Sequence, residues 1–404
     1  MTPETIAEEY VRLALAIDQH MPGYVDAYFG PPDWQAQVKT DGLRPLPELA
    51  QRASQLAAAI ASANPMDVQR KDFLARHVFA MQTSLRLLQG ESMALVEEVE
   101  SLYDVRPTWI DEALFEEAHY MLDELLPPGD SLQARVTLRK QMLEIPVEQA
   151  KNVLPLIHHQ LRTISRNRFP LPEEESVDFV FVQNQPWWAY NWYLGACRSR
   201  IEINTDLPPR INTLADLVAH EGYPGHHTEL SIKDSLLVQQ AGRLEHGVSL
   251  INAPSCVVSE GIATCALSTV MSAESWVAWH AEDIFPRAGM GHLDAQREHR
   301  IDQALENLAG IDGNAAFLFY DQGAAADKVA GYLQDYGLRT EQEARMTVEF
   351  LSNPLYRSYI FTYFWGKKML KELFARKQDG NHWYTRLLTE AVTPAQIRQW
   401  MIEG

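Results

Sequence analysis

His220-Glu221-Gly222-Tyr223-Pro224-Gly225-His226-His227 puts three histidines and a carboxylate into eight residues of a 404-residue chain that holds 13 histidines in all. Neutral imidazoles and a carboxylate are the donors of a water-activating zinc, which also needs an open coordination position and a second carboxylate to take a proton. The regular form, H-E-x-x-H, sets two histidines one turn apart on one helix face. Here the position where the second should fall is Pro224. On an ideal helix His226 points about 120° away from His220, and His227 returns to within about 20° but lies about 10.5 Å along the axis. Neither is well presented by a regular helix. Proline has no N–H for the carbonyl of His220, and its ring opens that turn. Pro224-Gly225 therefore predicts a two-residue bulge or a helix end, after which His226 swings back toward His220. His226 is the expected second ligand, with His227 in reserve.

A third ligand is findable by charge. From Gly247 to Ala273 the chain runs 27 residues with one charged side chain, Glu260, amid Val257, Val258, Ile262, Ala263, Cys265, Ala266 and Leu267. A carboxylate in such surroundings is costly unless it is paired or bound to a metal. Without the histidines a salt bridge to arginine would be the better reading; with them, Glu260 is the expected third ligand of a two-histidine, one-glutamate zinc site. Glu221, adjacent to His220, points about 100° away from it and is expected to miss the metal and act as general base. His246, beside Glu245, is a weaker rival ligand.

These residues carry a resemblance. His220, Glu221, Pro224, Gly225 and His226, followed by Glu260, Gly261, Ile262 and Ala263, resemble the bacterial family known as domain of unknown function 885, whose mark is H-E-x-x-P-G-H and a downstream Glu-Gly-Trp-Ala-like segment. The chain departs from it at Ile262, where the family has an aromatic residue, and at Leu267, where an acid is common. The resemblance spans residues 180 to 370 in outline. It implies a mostly helical, zincin-like metallopeptidase fold with a glutamate as third zinc ligand, and a Tyr-Lys-containing segment near the site.

The balance of 35 basic against 54 acidic residues, a net charge of −19, disfavours nucleic acid and anionic membranes as partners. The first residues lack a basic segment with an apolar core behind it, and no run of apolar residues is long enough to span a bilayer, so a cytoplasmic protein is expected. Three cysteines, Cys197, Cys256 and Cys265, fit a reducing compartment. Hydrophobic residues at 46% can fill a large core, and no linker divides the chain, so an N-terminal helical subdomain over 1–165 and a metal-site subdomain over 166–404 are expected to form one continuous unit.

Ile6, Tyr10, Leu13 and Ile17 form one helical stripe, and Leu114, Ala118, Met121 or Leu122, and Leu125 form another. His119, His158 and His159 have no acids arranged around them and are expected to be structural or exposed. Pro170, Pro172, Pro186, Pro208 and Pro209 forbid long helices between 169 and 210, where Val177 to Val182 and the alternation of Arg198, Arg200, Glu202 and Asn204 with Ser199, Ile201 and Ile203 predict a small β-sheet. Its last strand is expected to enter the metal helix, capped by Asn212 or Thr213 with Asp216 as a capping-box partner. An edge strand beside that helix would offer main-chain bonds to an extended ligand. Arg198 and Arg200 are expected to face solvent. Glu229 could orient a ligand histidine. Amphipathic helices are expected around 294–310 and 324–336, and Thr393-Pro394 caps a last short helix. Tyr356, Tyr359, Tyr363 and Lys367 fall on one face of a helix, and Tyr363 is the expected donor to a developing oxyanion.

The expectation is a mostly α zinc-dependent hydrolase of peptides. The alternatives are hydrolysis of a non-peptide amide or ester, and a non-catalytic helical binding protein with a structural metal.

Overall fold

The computed structural model describes residues 1–185 and 187–403; Pro186 lies outside the described residues. Helix accounts for 64% of the chain and strand for 7%, which gives the mostly α architecture expected. The first helix, Pro3–Asp18, starts where the Thr2 side chain accepts the Thr5 N–H, and it buries the predicted stripe of Ile6, Tyr10, Leu13 and Ile17. The second stripe keeps Ala118 and Leu122 and differs at its start, where Phe115 replaces Leu114. In Glu112–Leu125 the buried residues are Phe115, Ala118 and Leu122, while Leu114 and Met121 face outward, because the larger aromatic surface at 115 takes the inward position. The later amphipathic segments are the helices Ala295–Glu306 and Ala326–Asp335, and the last helix is Pro394–Ile402, begun at Thr393.

Two apolar clusters hold the chain together. One gathers residues between Ile6 and Leu85 and adds Val248, Leu250 and Ala253; the other runs from Leu95 to Trp400. The helices from 95 to 168 carry their apolar faces into the larger cluster. Strand β1 (Val25–Tyr28) joins the smaller cluster to the site. It pairs antiparallel with a distant strand, Val248–Leu250, just before the helix that carries Glu260.

The predicted sheet comprises β2 (Ser176–Val182), β3 (Ala189–Gly195) and β4 (Arg198–Asn204), in the order β2-β4-β3; Val248–Leu250 is β5. β4 does lead to the helix that carries His220, but it is the central strand, parallel to β2 and antiparallel to β3. β3 is the edge that lies beside the helix, where Asn191 Nδ2 donates to the Glu221 carbonyl at 2.6 Å. Ser199, Ile201 and Ile203 of β4 face inward; Arg198 and Arg200 are exposed, the latter 2.9 Å from Glu202.

The first histidine helix is Leu214–Glu221. Its predicted side-chain cap is absent: the Thr213 hydroxyl donates to the Arg210 carbonyl at 3.2 Å, Asn212 donates to Asp302 at 3.0 Å, and Asp216 faces outward. The helix stops at Glu221, and a second histidine helix, His226–Lys233, resumes the path. Between them the Tyr223–Pro224 peptide is cis. Gly225 N–H bonds the Ala219 carbonyl at 2.9 Å and Thr228 N–H bonds that of Gly222 at 3.2 Å. Both bonds span six residues where a helix would span four, so the turn is widened by two residues. A Cβ on Gly225 would lie 2.0 Å from the His220 carbonyl oxygen, which leaves glycine as the residue that fits this approach.

The glutamate helix, Pro254–Val270, crosses the tyrosine helix, Phe361–Arg376, at two glycines. A Cβ on Gly261 would meet the Gly366 carbonyl oxygen at 2.8 Å, and one on Gly366 the Val257 carbonyl oxygen at 2.4 Å. Backbone contact at this crossing brings the start of the tyrosine helix over Glu260. No single helix among the described residues is long and apolar enough to cross a membrane. The glutamate helix and Ala273–Arg287 reach that length and composition together only across a bend of 74°, and the former lies in the core.

Candidate metal centre

The widened turn brings His226 back beside His220. Their rings stand 4.8 Å apart at 87°. Glu260 reaches between them: Oε2 is 3.7 Å from His220 Nε2, and Oε1 is 3.7 Å from His226 Nε2. One donor atom from each residue fits within a 4.8 Å span, and among the described residues this is the one such group of three. Donors held about 2.1 Å from a tetrahedral zinc lie about 3.4 Å from each other, so the trio is within a small contraction of that spacing.

The hydrogen bonds argue for a cation more sharply than the distances. Glu260 is 5% exposed, and its Oε1 accepts the Tyr359 hydroxyl at 2.6 Å, while Oε2 is buried with no partner. Buried carboxylate oxygens are rarely left so. Around His226 the protons can be counted. The Ser259 hydroxyl donates its one proton to Glu229 Oε2 at 2.6 Å, so at 3.2 Å from His226 Nδ1 it must accept. His226 is then protonated at Nδ1, and its Nε2 lone pair points toward Glu260. Lys233 Nζ holds the other oxygen of Glu229 at 2.5 Å. Glu229 does orient a histidine, through a serine that was not singled out in the sequence although it precedes Glu260.

Burial drives the His220 imidazole well below its ordinary pKa, so it is neutral. Burial would lower His226 too, but Glu260 and Glu221 outweigh this and raise it. Burial raises the Glu260 carboxyl and pushes Glu221 up to about 7. A divalent cation among these side chains would favour ionised Glu260 and neutral His226. Glu221 stands outside the ligand trio and lines the same cavity of about 190 Å³.

The other side chains divide. His227, one residue on, points the other way: it is fully buried, with Nδ1 2.8 Å from Ser199 Oγ and Nε2 3.1 Å from Glu175. It cannot serve as a reserve ligand. His246 lies 4.0 Å from Glu245, tilted against Phe73, outside the trio. His119 bonds the Tyr336 carbonyl at 2.8 Å, His158 packs against Tyr223, and His159 is exposed. The tyrosine segment is not one helix. Residues 354–360 form turns and the helix begins at Phe361, so the phenols leave the single face predicted. Tyr359 holds Glu260. Tyr363 lines the cavity with its hydroxyl 3.4 Å from that of Tyr359. Tyr356 stacks on Phe350, and Lys367 pairs with Glu306 at 3.0 Å. Tyr384, which nothing in the sequence marked, donates toward the carbonyls of Pro224 at 3.2 Å and Ile262 at 3.0 Å. It ties the widened turn to the glutamate helix.

No family model matches the chain, and no curated protein matches it. Among solved structures it is similar to one described as a putative lipoprotein from Colwellia psychrerythraea, at 11% identity over 92% of this chain and 73% of that one, with a TM-score of 0.54. A second, described as CHT, is 10% identical over 98% of this chain and 91% of that one, with a TM-score of 0.50. The overall fold is therefore one found in other proteins.

Proposed function

We propose that the chain is a zinc-dependent hydrolase of the zincin-like kind, acting on peptides. The observation that carries the reading is the orphaned Oε2 of Glu260, buried 3.7 Å from His220 Nε2 on a carboxylate whose other oxygen faces His226 Nε2, in a cavity that Glu221 also lines. His220, His226 and Glu260 would hold the ion, which when bound supplies a Lewis acid and a water of lowered pKa. Glu221, whose ordinary acidity is suppressed by burial, takes the proton of the attacking water and returns it to the leaving amine. Tyr359 fixes Glu260 and Ser259 fixes His226, so both ligands are oriented before the ion arrives. Tyr363 is the phenol placed to donate to the carbonyl oxygen of the substrate. The resemblance to family 885 supports the same assignment. Three cysteines without a disulfide favour a cytoplasmic setting, while the lipoprotein description of a structural neighbour makes an anchored, exported setting the rival.

The test is metal analysis of the purified protein together with mass spectrometry of a mixed peptide library after incubation. About one zinc per chain and defined cleavage products are expected. Zinc uptake without cleavage of any peptide would move the non-peptide amide or ester reading ahead, and no zinc uptake would end the metallohydrolase reading.

A further inference from the structure

The cavity that holds the trio has a wall supplied from the smaller apolar cluster, and one charge on that wall is unanswered. Five acids line the cavity: Asp26, Glu221, Glu229, Glu245 and Glu260. Glu229 is paired with Lys233, the one lysine or arginine lining the cavity among the described residues. Glu245 is held in two bonds by Arg70, at 2.6 and 2.9 Å. Glu260 and Glu221 have the roles given above. Asp26, on β1, is left with one protein bond, from the hydroxyl of Tyr190 on the edge strand β3, and with no lysine or arginine paired to it among the described residues; the charge that acts on it is that of the His226 imidazole when protonated.

An independent feature of the same cavity also asks for a ligand. The His246 side chain is 8% exposed, and its Nε2 is buried without a partner. At about 190 Å³ the cavity is below the ~300–1,000 Å³ of pockets that take drug-sized molecules, which suits a small group at the end of a chain. Among the described residues, no unpaired lysine or arginine lines the cavity to receive a substrate carboxylate.

We infer that Asp26, steered by Tyr190, seats an ammonium group of the substrate, so that the enzyme works on peptides or amides with a free amino group close to the bond that is cut. This rests on the hydrolase reading and adds an end preference to it. The ammonium could come from a free N-terminus or from a basic side chain, and the two are separable.

The experiment is calorimetric binding of L-leucinamide, N-acetyl-L-leucinamide and N-acetyl-L-lysinamide to full-length Glu221→Gln protein, zinc-loaded and zinc-stripped. Leucinamide is expected to bind about 10- to 100-fold more tightly than its acetylated form, the scale of one charge-assisted bond. Asp26→Asn should erase that difference, and Tyr190→Phe should reduce it without changing zinc uptake. The tyrosine variant and a circular dichroism melt cover the case in which Asp26→Asn fails to fold. If N-acetyl-lysinamide matches leucinamide and shares the Asp26 dependence, the seat stands and the end preference is replaced by a basic side-chain preference. Equal binding of free and acetylated leucinamide, binding of neither, or a preference that survives Asp26→Asn would overturn the inference. An Asp26-dependent preference in protein that takes up no zinc would instead retire the hydrolase reading and leave the seat.

Discussion

Glu175 and Glu260 are both carboxylates sunk in protein, and each meets one of the neighbouring histidines 226 and 227. Around Glu175 every lone pair is spoken for. Arg162 and Arg166 reach Oε1 at 2.9 and 2.8 Å, His227 reaches Oε2 at 3.1 Å, and the Tyr223 hydroxyl joins them. Burial alone would raise its pKa, but these donors bring it down to about 2. Around Glu260 there is one phenol and an empty oxygen, and the pKa goes up. The two sites lie on opposite sides of one widened turn. Glu175 is a buried charge answered by the chain itself, whereas the second oxygen of Glu260 is the one that the proposed ion would answer.

The contrast can be broken most decisively at the histidine pair. His226→Ala should lose the metal, and turnover with it, whereas His227→Ala should keep about one zinc per chain and lose stability. Metal analysis beside a thermal melt reads both, and zinc loss in the second variant alone would reverse the assignment. Next comes Glu221→Gln, which should keep zinc and fold while turnover falls by about 10² to 10⁴. Turnover that persists with full zinc content would exclude Glu221 as the base.

The third prediction concerns pH. The Glu175 pKa is depressed in the folded chain, so its stabilisation is complete above the ordinary value of 4.5 and disappears as pH falls through about 2. A shift of that size is about 3 kcal/mol. Urea unfolding of wild type between pH 5 and pH 2 should show that loss over and above the loss in Glu175→Gln, and parallel curves would mean that Glu175 is not so paired. The smallest effect is expected from Ser259→Ala, which frees His226 Nδ1 and should weaken zinc binding about 10- to 100-fold with the fold unchanged. An unaltered zinc affinity would separate Ser259 from the ligand set.

Much of this was legible in the sequence because it is local. Pro224 removes a donor wherever it sits, so the interruption and the return of His226 follow from covalent structure. Glu260 announced itself by its isolation among apolar residues. The helix stripe at Ile6 follows from periodicity. What could not be read is what the tertiary fold decides. The pairing of both β2 and β3 with β4 makes the middle strand, and not the edge, the one that leads into the helix. The choice between Leu114 and Phe115 depended on which face met the core. Asp26 comes from a strand nearly two hundred residues before His220, and Tyr384 from a helix far beyond Glu260; neither has a neighbour in sequence that hints at its use. Tyr359 and Tyr363 were both in view, but the turns before Phe361 gave them different tasks.

The widened turn has a genetic consequence. Excise Pro224 and Gly225 from the string and what remains is His-Glu-Gly-Tyr-His, the four-residue spacing of a regular helix. The six-residue bond from Thr228 to Gly222 would shorten to an ordinary helical one, and the bond from Gly225 to Ala219 would go with its donor. The two spacings are one in-frame loss or gain of six nucleotides apart, with both histidines kept on the same face. A search with a fixed gap will pass over such a chain, whereas one that lets a Pro-Gly pair slip between the histidines will find it.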